Sequence, residues 1–315
     1  MKPSELTQKR YPVDRPLTAE ERKNQLHQKE RLDVQPVYNA STIKFNSIYV
    51  EMVDRWFYCR GKHTGGFLFL SIAMVVGTFI MAPLYDLQHS GTLTSKGLLA
   101  IGVAFCACVP LWAWAVWLIR KEAYRWTHFP IRFNRKNRMV YVFCFDGVVR
   151  SAKWDDLFFT FGRCEWIGVQ EWEIRGHALK ADKETVEWSF ALHGESPIPR
   201  ELKMYWEFVR RYMEEGSASV HDEVFWCHDI VTKCETYQVG LEVLRLELDW
   251  KIYRTILAPA LWFLALARQY VMKTSKIPVW PDEVEAQCKI EPNDAYVIDA
   301  SNNPDRFPYK GSVIA

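Results

Sequence analysis

Four basic side chains in one short stretch are the best candidates for ligand binding in this sequence: Arg132, Arg135, Lys136 and Arg138. The polar run 135–138 separates two β-rich segments, which predicts a hairpin turn. An apolar stretch ends just before it, so the turn would stay near a membrane surface. There each basic residue would add about 1 kcal/mol of attraction to anionic lipid. A defined phosphate or lipid-headgroup site is one interpretation, and a charge cluster that only sets membrane orientation is the other.

Signatures of catalysis are missing from the sequence. It contains no Walker phosphate loop, no dinucleotide-binding glycine pattern, no serine nucleophile elbow and no zinc-protease helix motif. Asp155 and Asp156 form a carboxylate pair, but their position between Trp154 and Leu157 is typical of a solvated turn. We therefore expect no catalytic residues, no cofactor and no enzyme activity.

Cysteine and histidine spacing gives little support for a metal site. None of the eight cysteines belongs to a C-x-x-C pair. The nearest approach to a ligand set is the cluster His221, Cys227, His228 and Cys234, whose spacing fits none of the usual structural zinc patterns. Ordinary packing is the favoured interpretation, and no metal is predicted.

Two uncharged apolar stretches, 66–84 and 97–119, would position the basic turn. Each is long enough to cross the ~30 Å hydrocarbon layer as a helix. Buried core helices are the alternative, but such helices usually carry a polar stripe. Arg55, Arg60 and Lys62 lie just before the first stretch, one basic residue lies in the connector 85–96 and seven follow the second stretch by residue 138. Because positive flanks stay in the cytoplasm, we expect a transmembrane hairpin with both termini and the soluble domain cytoplasmic.

The sequence after the second span changes to a period of two, which predicts an antiparallel sheet of about six or seven strands. The clearest strand is 185–192, where Val186, Trp188, Phe190 and Leu192 fall on one face. A helix from Pro199 to about Glu215 follows. Its apolar residues recur with helical spacing and predict one buried stripe made of Leu202, Tyr205, Trp206, Val209 and Met213.

Four parts follow from these patterns: a polar N-terminal tail (1–45), the transmembrane hairpin (46–126), a β domain with its capping helix (127–216) and a C-terminal extension (217–315). Within the extension, the uncharged segment 255–267 is short for a span and predicts an interfacial or buried helix. The 40 basic and 38 acidic residues leave a net charge of only +2, which argues against a nucleic-acid partner.

The layout of residues 127–216 resembles the pleckstrin-homology-like fold, a sheet of about seven strands capped by a C-terminal helix. In that fold the first hairpin loop is often a phosphoinositide site. The resemblance implies that 134–138 is its counterpart here. The expected class is therefore an α+β membrane protein, with a transmembrane hairpin, a pleckstrin-homology-like sheet and a partly helical, partly irregular C-terminal extension.

Longer segments resemble an uncharacterised bacterial inner-membrane family with a domain of unknown function, often encoded beside type VI secretion effectors. They are RWFYCRGK (55–62), FPIRFNRKNRMVYVF (129–143), VVRSAKWDDLFF (148–159), YWEFVRRYMEEG (205–216) and KIPVWPDEVEAQC (276–288), together with the two-helix hairpin. The resemblance implies an inner-membrane immunity or effector-associated protein whose partners are a cognate toxin and membrane lipids. The alternative is a membrane-tethered adaptor that binds anionic lipid or a protein.

Overall fold

A computed structural model describes residues 11–166, 169–246 and 255–304 of the chain. These residues divide into two compact units. A helical unit holds residues 59–125, 235–246 and 255–276. A β unit holds residues 11–58, 126–166, 169–234 and 277–304. The C-terminal extension predicted from the sequence is thus divided between both units.

The described residues of the helical unit form two long helical segments and two shorter helices. In the first segment, α2 (Lys62–Val76) continues through a π-helical turn, Gly77–Met81, directly into α3 (Ala82–Ser90). The other helices are α4 (Ser95–Glu122), α6 (Tyr237–Leu246) and α7 (Ala258–Thr274).

Two of these helical segments are long and apolar enough to cross a membrane: Lys62–Ser90 and Ser95–Glu122. The two predicted spans lie inside them, so the prediction of two long apolar helices is confirmed. Only 6% of the most apolar window in each is buried within the protein. Because core helices of soluble proteins are mostly buried, this exposure indicates association with a membrane.

Glycine allows α7 to pack closely against the start of α2. A Cβ atom built on Gly61 would lie 2.3 Å from the Cα of Arg268, and one on Gly65 would lie 2.5 Å from the Leu264 side chain. The two glycines are four residues apart, the spacing that brings helix backbones together in membrane proteins. Gly61 also has a φ of +85°, a conformation that favours glycine.

Buried charges hold the same region together. The Glu122 carboxylate, at the end of α4, accepts hydrogen bonds from the backbone N–H of Gly61 (2.7 Å) and of Thr64 (2.8 Å) and from the Thr64 hydroxyl (2.6 Å). It thereby satisfies N–H groups at the start of α2 that lack partners within the helix. Beside it, Arg268 of α7 forms a buried ion pair with Glu235, with 2.9 Å between Nη2 and Oε2.

The β unit contains two antiparallel five-stranded sheets. The first has the order β1-β10-β9-β8-β2 and the second β3-β4-β5-β6-β7. The strand bounds are β1 (Arg15–Pro16), β2 (Gln25–Leu26), β3 (Thr42–Phe45), β4 (Tyr49–Met52), β5 (Ile131–Asn134), β6 (Met139–Phe143), β7 (Val149–Lys153), β8 (Leu157–Trp166), β9 (Val169–Leu179) and β10 (Thr185–Ala191). The unit also contains α1 (Ala19–Lys23), α5 (Pro199–Glu214) and α8 (Asp282–Gln287).

The sequence predicted one sheet, and the structure corrects this to two. The 3-10 turn Trp154–Asp156 lies between β7 and β8, and the chain passes from the second sheet to the first there. The antiparallel α+β character of the prediction is confirmed. Three further strands, β1, β2 and β3, come from the polar N-terminal tail, and β1 and β2 form the edges of the first sheet. Backbone pairing such as Asp14 N–H to Val186 O (2.8 Å) needs no apolar pattern.

The helical segment interrupts the chain between two neighbouring strands. β4 pairs with β5 in the register Met52 to Ile131 and Tyr49 to Asn134, although more than seventy residues separate them in sequence. Just beyond the pairing, the Asp54 carboxylate accepts a hydrogen bond from the Phe129 N–H at 2.8 Å. The two chain ends of the β unit at residues 58 and 126 therefore leave from adjacent strands.

Helix α5 packs its apolar stripe into the core of the β unit, as predicted. Leu202, Tyr205, Trp206, Val209 and Met213 are all buried. The Trp206 ring stacks on Trp154, with 5.6 Å between centroids, and lies 4.8 Å from Phe159 of the first sheet. Farther along α5, Tyr212 contacts Phe45 of the second sheet. The helix thus contributes core residues to both sheets.

Candidate functional site

The structure places the four predicted basic residues at one end of the β5–β6 hairpin, but it does not point them at one site. Arg132 is buried on β5 and donates from Nη2 to Glu51 (2.7 Å) and Glu285 (3.1 Å). Its guanidinium also lies over the rings of Tyr49 (4.3 Å) and Trp280 (4.8 Å). A side chain surrounded in this way helps to hold α8 against the sheet, and lipid binding by Arg132 stays a prediction.

Arg138 forms the centre of a second network at the other side of the turn. Its guanidinium donates to both carboxylate oxygens of Asp155 (2.6 and 2.7 Å) and to Glu214 (2.6 Å). Lys29 joins the same two acids, at 3.2 Å from Asp155 and 2.8 Å from Glu214. The hydrogen bond from Arg138 lowers the pKa of Asp155 to about 2. The pair is therefore ionised throughout the physiological range, and the charge of Arg138 is balanced internally.

The remaining two basic residues are more accessible. Lys136 is exposed and pairs with Glu291 at 2.6 Å, a surface contact of small energetic value. Arg135 is half-buried beside Gly216, and no described residue forms an ion pair with it. An anion at this turn would therefore meet chiefly Arg135 and Lys136. Binding of lipid or phosphate by the turn stays a prediction.

A polar cluster that the sequence did not indicate lies where β8 and β9 meet residues 55 and 195. Arg55 is buried, contacts Glu173 and donates from Nε to Glu195 at 2.5 Å. Glu173 is itself buried and also accepts from Tyr11 (3.2 Å) and from Arg175 (2.6 Å). Residues far apart in sequence meet here, and none belongs to a recognisable motif. The pairing of β8 with β9 brings some of these residues together, and the segments at residues 55 and 195 supply the others.

Three side chains of this cluster have the atoms that a metal ion would need. The ligand atoms of Cys164, Glu171 and Glu195 lie within 4.8 Å of one another. Burial, however, raises the pKa of the Cys164 thiol to about 11, and burial together with a hydrogen bond to Glu195 raises the pKa of Glu171. Burial also raises the pKa of Glu195, but the Arg55 hydrogen bond and charge outweigh it and leave that pKa below its ordinary value. The arrangement therefore favours an arginine–carboxylate network with a protonated thiol over a metal centre.

The histidines and cysteines at 221–234 have separate surroundings. The His221 ring packs against Tyr296, with 5.4 Å between centroids. The Cys227 backbone N–H donates to Asn303 at 2.7 Å. The His228 Nε2 lies 2.8 Å from the carbonyl oxygen of Ala40. Cys227 and His228 are buried and His221 is half-buried, so these contacts are those of ordinary packing.

Comparison with known proteins gives one finding. The model of a family described as "Family of unknown function (DUF6708)" matches residues 109–292, from within α4 to beyond α8. No curated protein and no solved structure matches the chain.

Proposed function

The chain belongs to this DUF6708 family, and from that premise we propose that it is a bacterial inner-membrane protein that binds and neutralises a secreted antibacterial toxin. The membrane location in this proposal is supported by one observation, the exposure of the two long apolar helices. Large apolar side chains on them, including Phe69, Leu99 and Val103, have more than 60% of their surface exposed. Contiguous apolar surface of this kind is costly in water and is stable in a bilayer.

The proposed orientation has both termini and the β unit in the cytoplasm. It is supported by the basic residues that flank the two apolar stretches: Arg55, Arg60 and Lys62 lie just before 66–84, and seven follow 97–119 by residue 138. The single basic residue of the connector, Lys96, would lie near the outer surface with the tip at Gly91. A cytoplasmic β unit would meet a toxin acting at the membrane or just beneath it.

Neutralisation by binding is supported by the character of the β unit. Its buried charges are paired with one another, as Arg132 is with Glu51 and Arg55 is with Glu173. A stoichiometric inhibitor needs a stable surface and no reactive group. The resemblance to proteins encoded beside type VI effectors suggests that the partner is a toxin. We propose that the β unit is a pleckstrin-homology-like binding module.

The test is competition between sibling cells. Deleting the gene should make a cell sensitive to its siblings only while the neighbouring effector gene is intact, and the full chain supplied in trans should restore protection. If the deletion leaves sibling competition unchanged while the effector is being delivered, the immunity proposal is wrong.

Anchoring can be tested separately in the full chain. Replacing two lipid-facing residues, Val75→Arg with Val109→Arg, puts a charge near the middle of each helix at a cost of about 5–7 kcal/mol together. The matched control is Val75→Leu with Val109→Leu. We expect the arginine pair to lower both the membrane fraction and the protection, because a tethered binder meets a membrane toxin at a higher effective concentration. Undiminished protection by protein that has left the membrane would contradict the anchoring step.

A second candidate function is a membrane-tethered adaptor that uses the basic turn to bind anionic lipid. The accessibility of Arg135 and Lys136 favours it. Arg135→Ala with Lys136→Ala should then weaken binding to anionic liposomes in a salt-dependent manner, whereas Lys180→Ala with Lys183→Ala should not. This function predicts no sibling killing after deletion, which separates it from the first.

A further inference from the structure

An open groove of about 700 Å³ lies between α2, α4 and α7 of the helical unit. Its walls are apolar and consist of Leu68, Val116, Ile119, Phe263, Leu266 and Ala267. The size falls within the roughly 300–1,000 Å³ typical of small-molecule sites. Val116 and Leu266 are 54% and 57% exposed, so the groove opens outward from the helices.

One end of the groove is polar. Arg120, Tyr124 and Tyr270 line it there. Arg120 follows directly after the uncharged stretch that ends at Ile119. No described residue forms an ion pair with Arg120, in contrast to Arg132 and Arg138 of the β unit. A cation placed at the boundary of an apolar helix without an acidic partner is complementary to an anionic headgroup.

The two tyrosines add a hydrogen-bond donor beside this cation. Their hydroxyl oxygens lie 3.0 Å apart, so one hydroxyl donates to the other. The accepting hydroxyl keeps its own hydrogen, which is then available to a phosphate oxygen. Tyr124 has a φ of +62°, a left-handed conformation that is uncommon for a bulky residue. The backbone thus adopts an unfavourable conformation at the residue that lines the polar end.

We propose that this groove binds an anionic membrane phospholipid, with an acyl chain between α4 and α7 and the phosphate on Arg120 and the tyrosine pair. The proposal rests on the membrane insertion stated above, but it is independent of the toxin. A phospholipid matches both ends of the groove. The apolar walls continue the exposed faces of α2 and α4 and would hold its acyl chain, and the charge of Arg120 lies where those faces end and would hold its phosphate.

The test uses the purified full chain in a neutral detergent. Phosphatidylglycerol or phosphatidylcholine with the same acyl chains is titrated in, and bound lipid is counted by native mass spectrometry. We expect phosphatidylglycerol to bind the wild type at least about fivefold more tightly than phosphatidylcholine, the ratio that one basic residue near an anionic group provides. Arg120→Gln should abolish this preference. Arg125→Gln, which removes the same charge from an exposed residue outside the groove, should retain it.

Filling the groove tests its apolar part. Val116→Trp should weaken binding of both lipids, whereas Val103→Trp, an exposed position on α4 outside the groove, should not. Equal binding of the two lipids by wild type, unchanged preference in Arg120→Gln, displacement of the lipid by inorganic phosphate, or a dimer that excludes lipid would each overturn the proposal. A chain that is released from membranes by alkaline carbonate would overturn the membrane insertion as well, so the two failures can be told apart.

Discussion

Replacing Gly61 by alanine should disrupt the packing of α7 against α2. An added Cβ would lie 2.3 Å from the Cα, 2.6 Å from the Cβ and 2.6 Å from the backbone N of Arg268. Carbon atoms pack at about 3.5–4.0 Å, so the overlap exceeds an ångström and falls on backbone atoms that cannot rotate away. The only relief is a movement of α7 itself.

The magnitude follows from what that movement would break. The left-handed backbone at residue 61 costs a non-glycine residue about 1–3 kcal/mol. Displacing α7 also separates Arg268 from Glu235, and breaking a buried ion pair typically costs about 3–5 kcal/mol. We therefore expect Gly61→Ala to destabilise the helical unit by about 4 kcal/mol or more, a large share of an ordinary domain's stability.

The chain provides a matched control four residues into α2. A Cβ on Gly66 would meet no atom within 4 Å, so Gly66→Ala should be neutral or slightly stabilising, by about 0.5–1 kcal/mol. Both variants would be purified as full chains in mild detergent and melted while their helical circular dichroism is followed. If Gly61→Ala melts at the same temperature as Gly66→Ala, the close approach of the two helices is wrong.

Three further predictions concern the core, the orientation and the response to pH. Trp206→Ala should lower the stability of the β unit by about 3–5 kcal/mol because the ring is fully buried. Lys203 is exposed on the same helix, so Lys203→Ala should change the stability by less than about 0.5 kcal/mol. Thermal melts of both variants check this. A reporter active only outside the cytoplasm should give signal when fused at Gly91 and none at Ala315, and the reverse pattern would overturn the proposed orientation. Burial lowers the pKa of His193 to about 4, so the unfolded chain binds the extra proton first as the pH falls below the ordinary histidine value. Unfolding free energy should therefore drop by about 1 kcal/mol between about pH 7 and 5.5 in the wild type, and chemical denaturation should show a shallower drop in His193→Asn.

Local patterns in the sequence were sufficient to predict the long uncharged helices, the amphipathic helix α5 and the clearest strand. The uncharged stretches 66–84 and 97–119 became long apolar helices, and the apolar spacing in 199–215 became the buried stripe of α5. Strand 185–192 was also recognisable, although a bulge between Val186 and Trp188 leaves Trp188 only half-buried. In α5 and in strand 185–192 the period of the residues indicates which side meets the core, whereas the two long helices were recognisable from their length and lack of charge.

Charge pairing could not be predicted in the same way, because the partners come from distant parts of the chain. The basic turn looks uniform in sequence, yet Arg132 pairs with Glu51 and Glu285 while Arg138 pairs with Asp155 and Glu214. The same holds for Arg55 and its acids on β9 and near residue 195. A count of basic residues predicts attraction to a membrane, but only the fold shows which of them have already been neutralised.

The pairing of β4 with β5 has a consequence for how the soluble part must be built. A fragment with the predicted bounds 127–216 would contain β5 to β10 and α5, but it would lack β4, which hydrogen-bonds to β5. It would also lack β1 and β2, which cover the edges of the first sheet at β10 and β8. Its uncovered strand edges would present unpaired N–H and C=O groups that favour aggregation. Because the strands on both sides of the helical segment are needed to complete the sheets, the apolar helices are an insertion within the β unit's sequence, and tests of function require the full chain.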